Sequence, residues 1–175
     1  MTKTTKLITA AMMAALCTVA TMVIRVPTIG TNGYVNIGDT IVLMCAWLLG
    51  PIYGGLAAGI GSGLADLLAG YGSYVPGTFV IKCAMAIAAA IVASKLYKTF
   101  NTKLGKQISY LVSAVIAELI MVGGYFLYES TLLGYGIAAA SSIISNMIQG
   151  ITCLILGIIL INALNGVRNI PRYIK

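Results

Sequence analysis

The sequence predicts an all-α integral membrane protein, a single domain over residues 1–175 with six transmembrane helices. Three observations carry that reading. The 175 residues are 59% hydrophobic and only 9% charged, where soluble domains carry about 25% charged residues. So few charges cannot supply a surface that faces water, and lipid is the fitting solvent. Apolar runs of membrane-spanning length recur along the chain, separated by Gly, Pro and polar stretches. The basic residues gather at the ends of those runs rather than within them.

The elements follow in order. Residues 7–26 form a first helix long enough to span, and Pro27 ends it. Lys3 and Lys6 ahead of an apolar run resemble a signal peptide, but five more apolar segments follow, so the run reads as a retained helix. Residues 28–38 form a loop rich in Gly, Asn and Thr. A second helix covers 39–49 and breaks at Gly50-Pro51; a third covers 52–69. The loop 70–75 carries Tyr71 and Tyr74. Pro76 suits the first turn of a fourth helix that runs to residue 97. A polar stretch over 98–106 precedes the fifth helix, 107–128. A short loop, 129–136, leads to the sixth, which ends near Leu164.

The second helix is short. Its run reaches only about 17 Å at about 1.5 Å per residue, roughly half the bilayer core. The segment Tyr34-Val35-Asn36-Ile37-Gly38-Asp39 is therefore expected to dip into the membrane. Backbone at that depth is tolerated only against protein or a watery cavity, so this segment should line a cavity open to the outside.

Lys3, Lys6, Lys95, Lys98, Lys103, Lys106, Arg168, Arg172 and Lys175 are nine of the eleven basic residues. They fall at the N-terminus, in or just before the 98–106 stretch, and at the C-terminus. Six spans put all three on one side, which the positive-inside rule makes cytoplasmic in a multi-pass protein of the cell membrane. The same placement argues against nucleic acid as the partner of a chain of net charge +7, because the charge flanks a membrane and forms no patch.

Several chemistries are excluded by what is missing. Cys17, Cys45, Cys83 and Cys153 stand singly and there is no histidine, so neither a metal site nor a cofactor is expected. Serine or cysteine catalysis lacks a base, and no Gly-x-x-x-x-Gly-Lys phosphate loop is present. An intramembrane aspartyl protease would need Asp39 and Asp66 to share a proton. Asn36 stands where that class has the first glycine of Gly-x-Gly-Asp, and no tyrosine precedes Asp66. A stand-alone secondary transporter or channel is the other alternative, without inverted repeats or a recognisable filter to support it.

Intramembrane charges are functional candidates by default because each is costly. Asp39 and Asp66 sit about 17 and 22 Å above the Gly50-Pro51 turn. Lys82 lies about 9 Å below the outer end of its helix. Lys82 either locks Asp66 in an ion pair or faces a cavity and a ligand. Glu118 lies near mid-membrane with Tyr125 on its face. Ser142, Asn146 and Gln149 form one stripe in the last helix. These groups either bond between helices or line a polar pocket. Tyr34, Tyr71 and Tyr74 are interfacial anchors or a stacking lid. Gly55, Gly59 and Gly63, beside Gly54, Ala58 and Ser62, allow close helix packing. Ala10, Ala11, Ala14 and Ala15 form two Ala-x-x-x-Ala pairs, suited to internal packing or to docking a partner helix.

The alanine-rich first helix, Tyr34-Val35-Asn36-Ile37-Gly38-Asp39, Leu49-Gly50-Pro51-Ile52-Tyr53-Gly54-Gly55, Gly61-Ser62-Gly63-Leu64-Ala65-Asp66-Leu67 and Pro76-Gly77-Thr78-Phe79-Val80-Ile81-Lys82 follow one another in an order that resembles a known family. It is the substrate-binding (S) component of energy-coupling factor (ECF) vitamin transporters, within the branch of riboflavin-transporter-like and pyridoxine or hydroxymethylpyrimidine S components. The resemblance implies six helices with a vitamin site near the outer face, no ATPase activity of the chain's own, and a separate transmembrane coupling protein with two ATPase subunits as partners. It implies that the Ala10/Ala14 and Ala11/Ala15 surface meets the coupling protein. The substrate-binding candidates are Tyr34, Asn36, Asp39, Tyr74, Lys82, Glu118, Tyr125, Asn146 and Gln149. They suit a small, flat, polar ring, with pyridoxine or hydroxymethylpyrimidine first and riboflavin or pantothenate still open.

Overall fold

A computed structural model describes residues 2–28, 31–100, 102–164 and 173–174. The expected cytoplasmic residues Arg168, Arg172 and Lys175 lie outside the described residues. Helix α1 spans Lys3–Val23, opened by Thr2, whose hydroxyl accepts from the Thr5 amide at 3.2 Å. Only Ala10, Cys17 and Thr21 of α1 are buried, and its exposed side is apolar.

The helix stops three residues earlier than expected. Ile24 is already extended, and Val26 precedes a proline, which disfavours helical backbone. The segment turns instead into a strand, β1, Arg25–Pro27, antiparallel to β2, Tyr34–Asn36, with Val26 opposite Val35. The all-helical class holds, and the expected irregular 28–38 loop is corrected in part by this small hairpin, whose first strand takes the end of the expected first helix. Its turn is tied by the Thr28 amide to the Gly33 carbonyl at 3.1 Å.

The next element holds the expected pair of helices as two arms joined at a bend. Gly38–Leu68 is one 31-residue helical element, α2, interrupted only at Gly50 (φ 79°, ψ −174°). A straight helix of that length would run about 45 Å. The ends do not lie so far apart: Tyr34, just before α2, stacks on Tyr71, just after it, at 4.7 Å between ring centres. A Cβ on Gly54 would sit 2.4 Å from the Cys45 carbonyl oxygen, so the two arms touch beside the bend. Glycine permits the positive φ at the reversal, and Pro51 opens the second arm. Every residue from Gly38 to Gly50 is buried. This first arm is a central post, which explains why it is apolar all round.

Helix α3 spans Val75–Phe100, α4 spans Lys103–Leu127 and α5 spans Ala140–Ala163. Thr102 caps α4 by accepting from the Gly105 amide at 2.9 Å. Between α4 and α5 the expected loop is a π-helical turn, Tyr128–Leu132, followed by a 3-10 turn, Gly136–Ala139. Five helices among the described residues are long and apolar enough to cross a membrane, with the bent α2 counted as one of them. Near the bend, Trp47 donates to the Ser113 hydroxyl at 3.0 Å and packs on Tyr110. Gln107 and Asn162 exchange two amide hydrogen bonds, at 2.6 and 3.0 Å, and tie α4 to α5.

Candidate ligand site

At the end of the bundle opposite the Gly50 bend, polar groups from every layer converge. The β1–β2 hairpin brings Tyr34 and Asn36. The second arm of α2 brings Asp66, α3 brings Thr78, α4 brings Tyr125, the π turn brings Glu129 and α5 brings Asn146. Together with Tyr74 they line one cavity of about 20 Å³. That holds about one water molecule. Above it a wider, more open depression of about 400 Å³ is lined by Pro27, Asn32, Gly70, Tyr71 and Ser73.

The roof is aromatic. Tyr34 packs on Tyr71 at 4.7 Å, Tyr71 on Tyr74 at 6.4 Å and Tyr74 on Tyr128 at 6.3 Å. Two of the hydroxyls point at carboxylates, and that of Tyr128 donates to the Ser73 carbonyl at 2.6 Å. Tyr34 donates to Asp66 at 2.6 Å, and Tyr74 donates to Glu129 at 3.0 Å. Burial first, and then the adjacent carboxylate, hold both hydroxyls well above the ordinary tyrosine range, so both keep their protons and donate. Ser142 donates to the other Glu129 oxygen. Tyr125 and Thr78 share a hydrogen bond of 2.9 Å.

Beneath the cavity lies a second polar layer. Lys82, fully inside the protein, pairs with Asp39 and not with Asp66. Gln149 donates to the other Asp39 oxygen at 2.6 Å and accepts from the Asn36 amide at 2.6 Å. The Asn36 side chain in turn accepts from the Gly38 amide, the first of α2, at 2.7 Å. The Lys82 ammonium lies 5.2 Å from the centre of the Tyr125 ring. Glu118 is buried beside Gly150, and neither carboxyl oxygen has a hydrogen-bond partner among the described residues.

The structure thus brings Tyr34, Asn36, Tyr74, Tyr125 and Asn146 onto the cavity wall. Asp39, Lys82 and Gln149 are engaged with one another in the floor instead. The expected ion pair of Lys82 with Asp66 is corrected: its partner is Asp39. Sequence reasoning missed Glu129 and Thr78 as lining groups. Glu129 stands at the edge of an apolar run, where a carboxylate ordinarily reads as solvated. Its burial follows from the π turn, which leaves no pattern in sequence.

The alanine pairs separate. Ala10 is buried, and Ala14 is half-buried where α1 crosses α2. A Cβ on Gly61 would lie 2.4 Å from the Ala14 carbonyl oxygen, and the Thr18 hydroxyl donates to the Gly61 carbonyl at 2.8 Å. Ala11 and Ala15 face outward. The expectation that both pairs form one external surface is corrected: Ala10 and Ala14 belong to the α1–α2 contact.

Comparison with known proteins agrees with this architecture. A solved structure described as the S component of a bacterial ECF transporter superposes with a TM-score of 0.69 at 20% identity, over 94% of this chain and 97% of that one. A Pyrococcus woesei protein, described as an "uncharacterized protein in gap 3'region", is 33% identical over 140 residues, 80% of this chain and 88% of its own length. The family model for the ECF-type riboflavin transporter, S component, matches residues 1–166. This chain belongs to the family of ECF-type riboflavin transporter S components.

Proposed function

We propose that the cavity under the tyrosine roof is the binding site for a small, flat vitamin or vitamin precursor, with pyridoxine or hydroxymethylpyrimidine the leading candidates. The carrying observation is the convergence of four helices (α2 to α5), the π turn and the hairpin on one roofed polar cavity at a single end of the bundle. Tyr34, Asn36, Tyr74, Tyr125 and Asn146 contact the ligand, while Asp39, Lys82, Gln149 and Glu118 form the floor beneath it. A cavity of about 20 Å³ is far smaller than the roughly 300 Å³ or more of typical ligand pockets, so the roof must lift to admit a ring. The open depression over Tyr71 is the approach.

The two arms of α2 act as the second and third of six spans, and the tyrosine end faces outward from the cell membrane. Lys6 lies 5.9 Å from the Tyr53 ring near the bend, and Lys106 lies 5.8 Å from the Tyr97 ring, so basic residues mark the opposite, cytoplasmic end. The chain has no ATPase of its own. Transport is completed with a transmembrane coupling protein and two ATPase subunits, docked through the outward Ala11/Ala15 face of α1.

Mass spectrometry of small molecules retained by the detergent-solubilised protein, followed by calorimetry with the compound found, tests the site. A vitamin-class ring is expected, with affinity falling at least roughly tenfold in Asn146→Ala, the loss of one or two buried hydrogen bonds. Retention of no such compound, together with no heat from pyridoxine, hydroxymethylpyrimidine or riboflavin, would overturn the reading.

A further inference from the structure

The ionisable side chains that line the cavity, Asp66, Glu129 and three tyrosines, are all acids. Asp66 and Glu129 stand on its wall, and both are nearly inaccessible to solvent. The side-chain hydrogen-bond partners of these two carboxylates are neutral hydroxyls: Tyr34 and Thr78 for Asp66, and Tyr74 and Ser142 for Glu129. The nearest cations are engaged or outside. Lys82 is neutralised by Asp39 in the floor. Arg25 is exposed on β1, beyond the Tyr34 ring at 6.0 Å from its centre. Glu118, the remaining carboxyl near the floor, adds no positive charge. A carboxylate offers about four acceptor positions, and each of these two has no more than two occupied by hydroxyls.

We infer that this cavity selects a ligand that is neutral or positively charged and rich in hydrogen-bond donors, and that it rejects anions carrying a carboxylate or phosphate. The inference rests on the cavity being the vitamin site. An amino, ring-NH or hydroxymethyl donor fits against Asp66 on one side and Glu129 on the other, with the Asn146 amide between. An anion in the same place meets two like charges in a water-poor site, where repulsion is strongest. Removing a carboxylate or phosphate from the candidate list narrows it toward aminated and hydroxymethylated rings and away from acids such as pantothenate.

Calorimetry on the full chain in detergent tests this with paired probes that share a ring and differ in charge. The pairs are pyridoxamine against 4-pyridoxate, riboflavin against flavin mononucleotide, and an aminomethylpyrimidine against the corresponding pyrimidine carboxylate. In whichever ring binds, the neutral or cationic member should bind at least roughly tenfold more tightly, the worth of one charge-assisted hydrogen bond. Asp66→Asn combined with Glu129→Gln should shrink that ratio to about threefold or less, since both substitutions keep shape and remove charge. Thermal unfolding run alongside confirms that the variant is folded, and the wild-type ratio decides the matter if it is not. Equal or tighter binding of the anionic member by the wild-type protein would overturn the inference and leave the vitamin site intact. Binding of no member of any pair would remove the inference together with the proposed function.

Discussion

Asp39 is buried with Lys82 on one oxygen and Gln149 on the other, so its removal from water is compensated on both sides. Breaking such a pair from one side is costly because the surviving charge has nowhere to go: about 3–5 kcal/mol. Lys82→Met should therefore lower stability by that amount in thermal unfolding of the detergent-solubilised protein. Adding Asp39→Asn should restore most of it, since an amide oxygen still accepts from Gln149. Asp66→Asn alone should change stability by about 1 kcal/mol or less, because an amide oxygen still accepts from Tyr34 and only the charge-assisted part of that bond is lost. Failure of the double variant to recover, or a rescue of Lys82→Met by Asp66→Asn instead, would reassign the partner. The reason Asp66 looked the better partner in sequence is physical. Counting residues along a helix fixes a side chain's height but not its direction around the axis. Asp39 and Asp66 have similar heights on antiparallel arms, and only packing decides which one faces α3.

At the scale of elements, α1 carries two faces with different fates. Ala10 is packed in the core, so Ala10→Trp forces a large side chain into filled space and should destabilise the protein by about 1–3 kcal/mol. Ala11 and Ala15 meet no described neighbour that buries them, so Ala11→Trp and Ala15→Trp should leave unfolding temperature and ligand affinity unchanged. They should abolish association with the coupling protein and uptake in cells, because bulk there stops another helix backbone from approaching. Copurification with the coupling protein beside ligand calorimetry separates the outcomes. Intact complexes in both variants would move the docking surface elsewhere. The alanine repeat was visible in sequence, but its division into inner and outer pairs was not, since successive residues turn by about 100° and only the position of Gly61 shows which pair meets α2. The Gly50-Pro51 break was legible because both residues act on their own backbone. The β1–β2 hairpin was not, because strands of three residues carry no period to read.

For the whole molecule, the reversal at Gly50 decides how the chain is threaded through the bilayer. If α2 ran straight, it would cross once, and the 31–36 segment would lie on the opposite side from the 70–74 segment. Lys95 and Lys98 would then share a side with the hairpin and be separated from Lys3 and Lys6, against the positive-inside bias. With the chain folded back, Tyr34 and Tyr71 meet on one side, and all six described lysines at segment ends fall on the other. Two introduced cysteines distinguish these arrangements. Asn32 and Ser73 are exposed, and the native thiols compete little: Cys17, Cys45 and Cys153 are buried and Cys83 is half-buried. Asn32→Cys and Ser73→Cys should both react with a membrane-impermeant maleimide added to intact cells. Lys98→Cys should react only after the membrane is permeabilised. Labelling of Asn32→Cys and Ser73→Cys from opposite sides would establish five spans and dismantle the cavity, because its hairpin and α2 walls could no longer share a face of the membrane. Labelling of Lys98→Cys from outside, with the other two protected, would keep the fold but invert it, and would place the tyrosine roof toward the cytoplasm, where it could not capture a ligand from the medium.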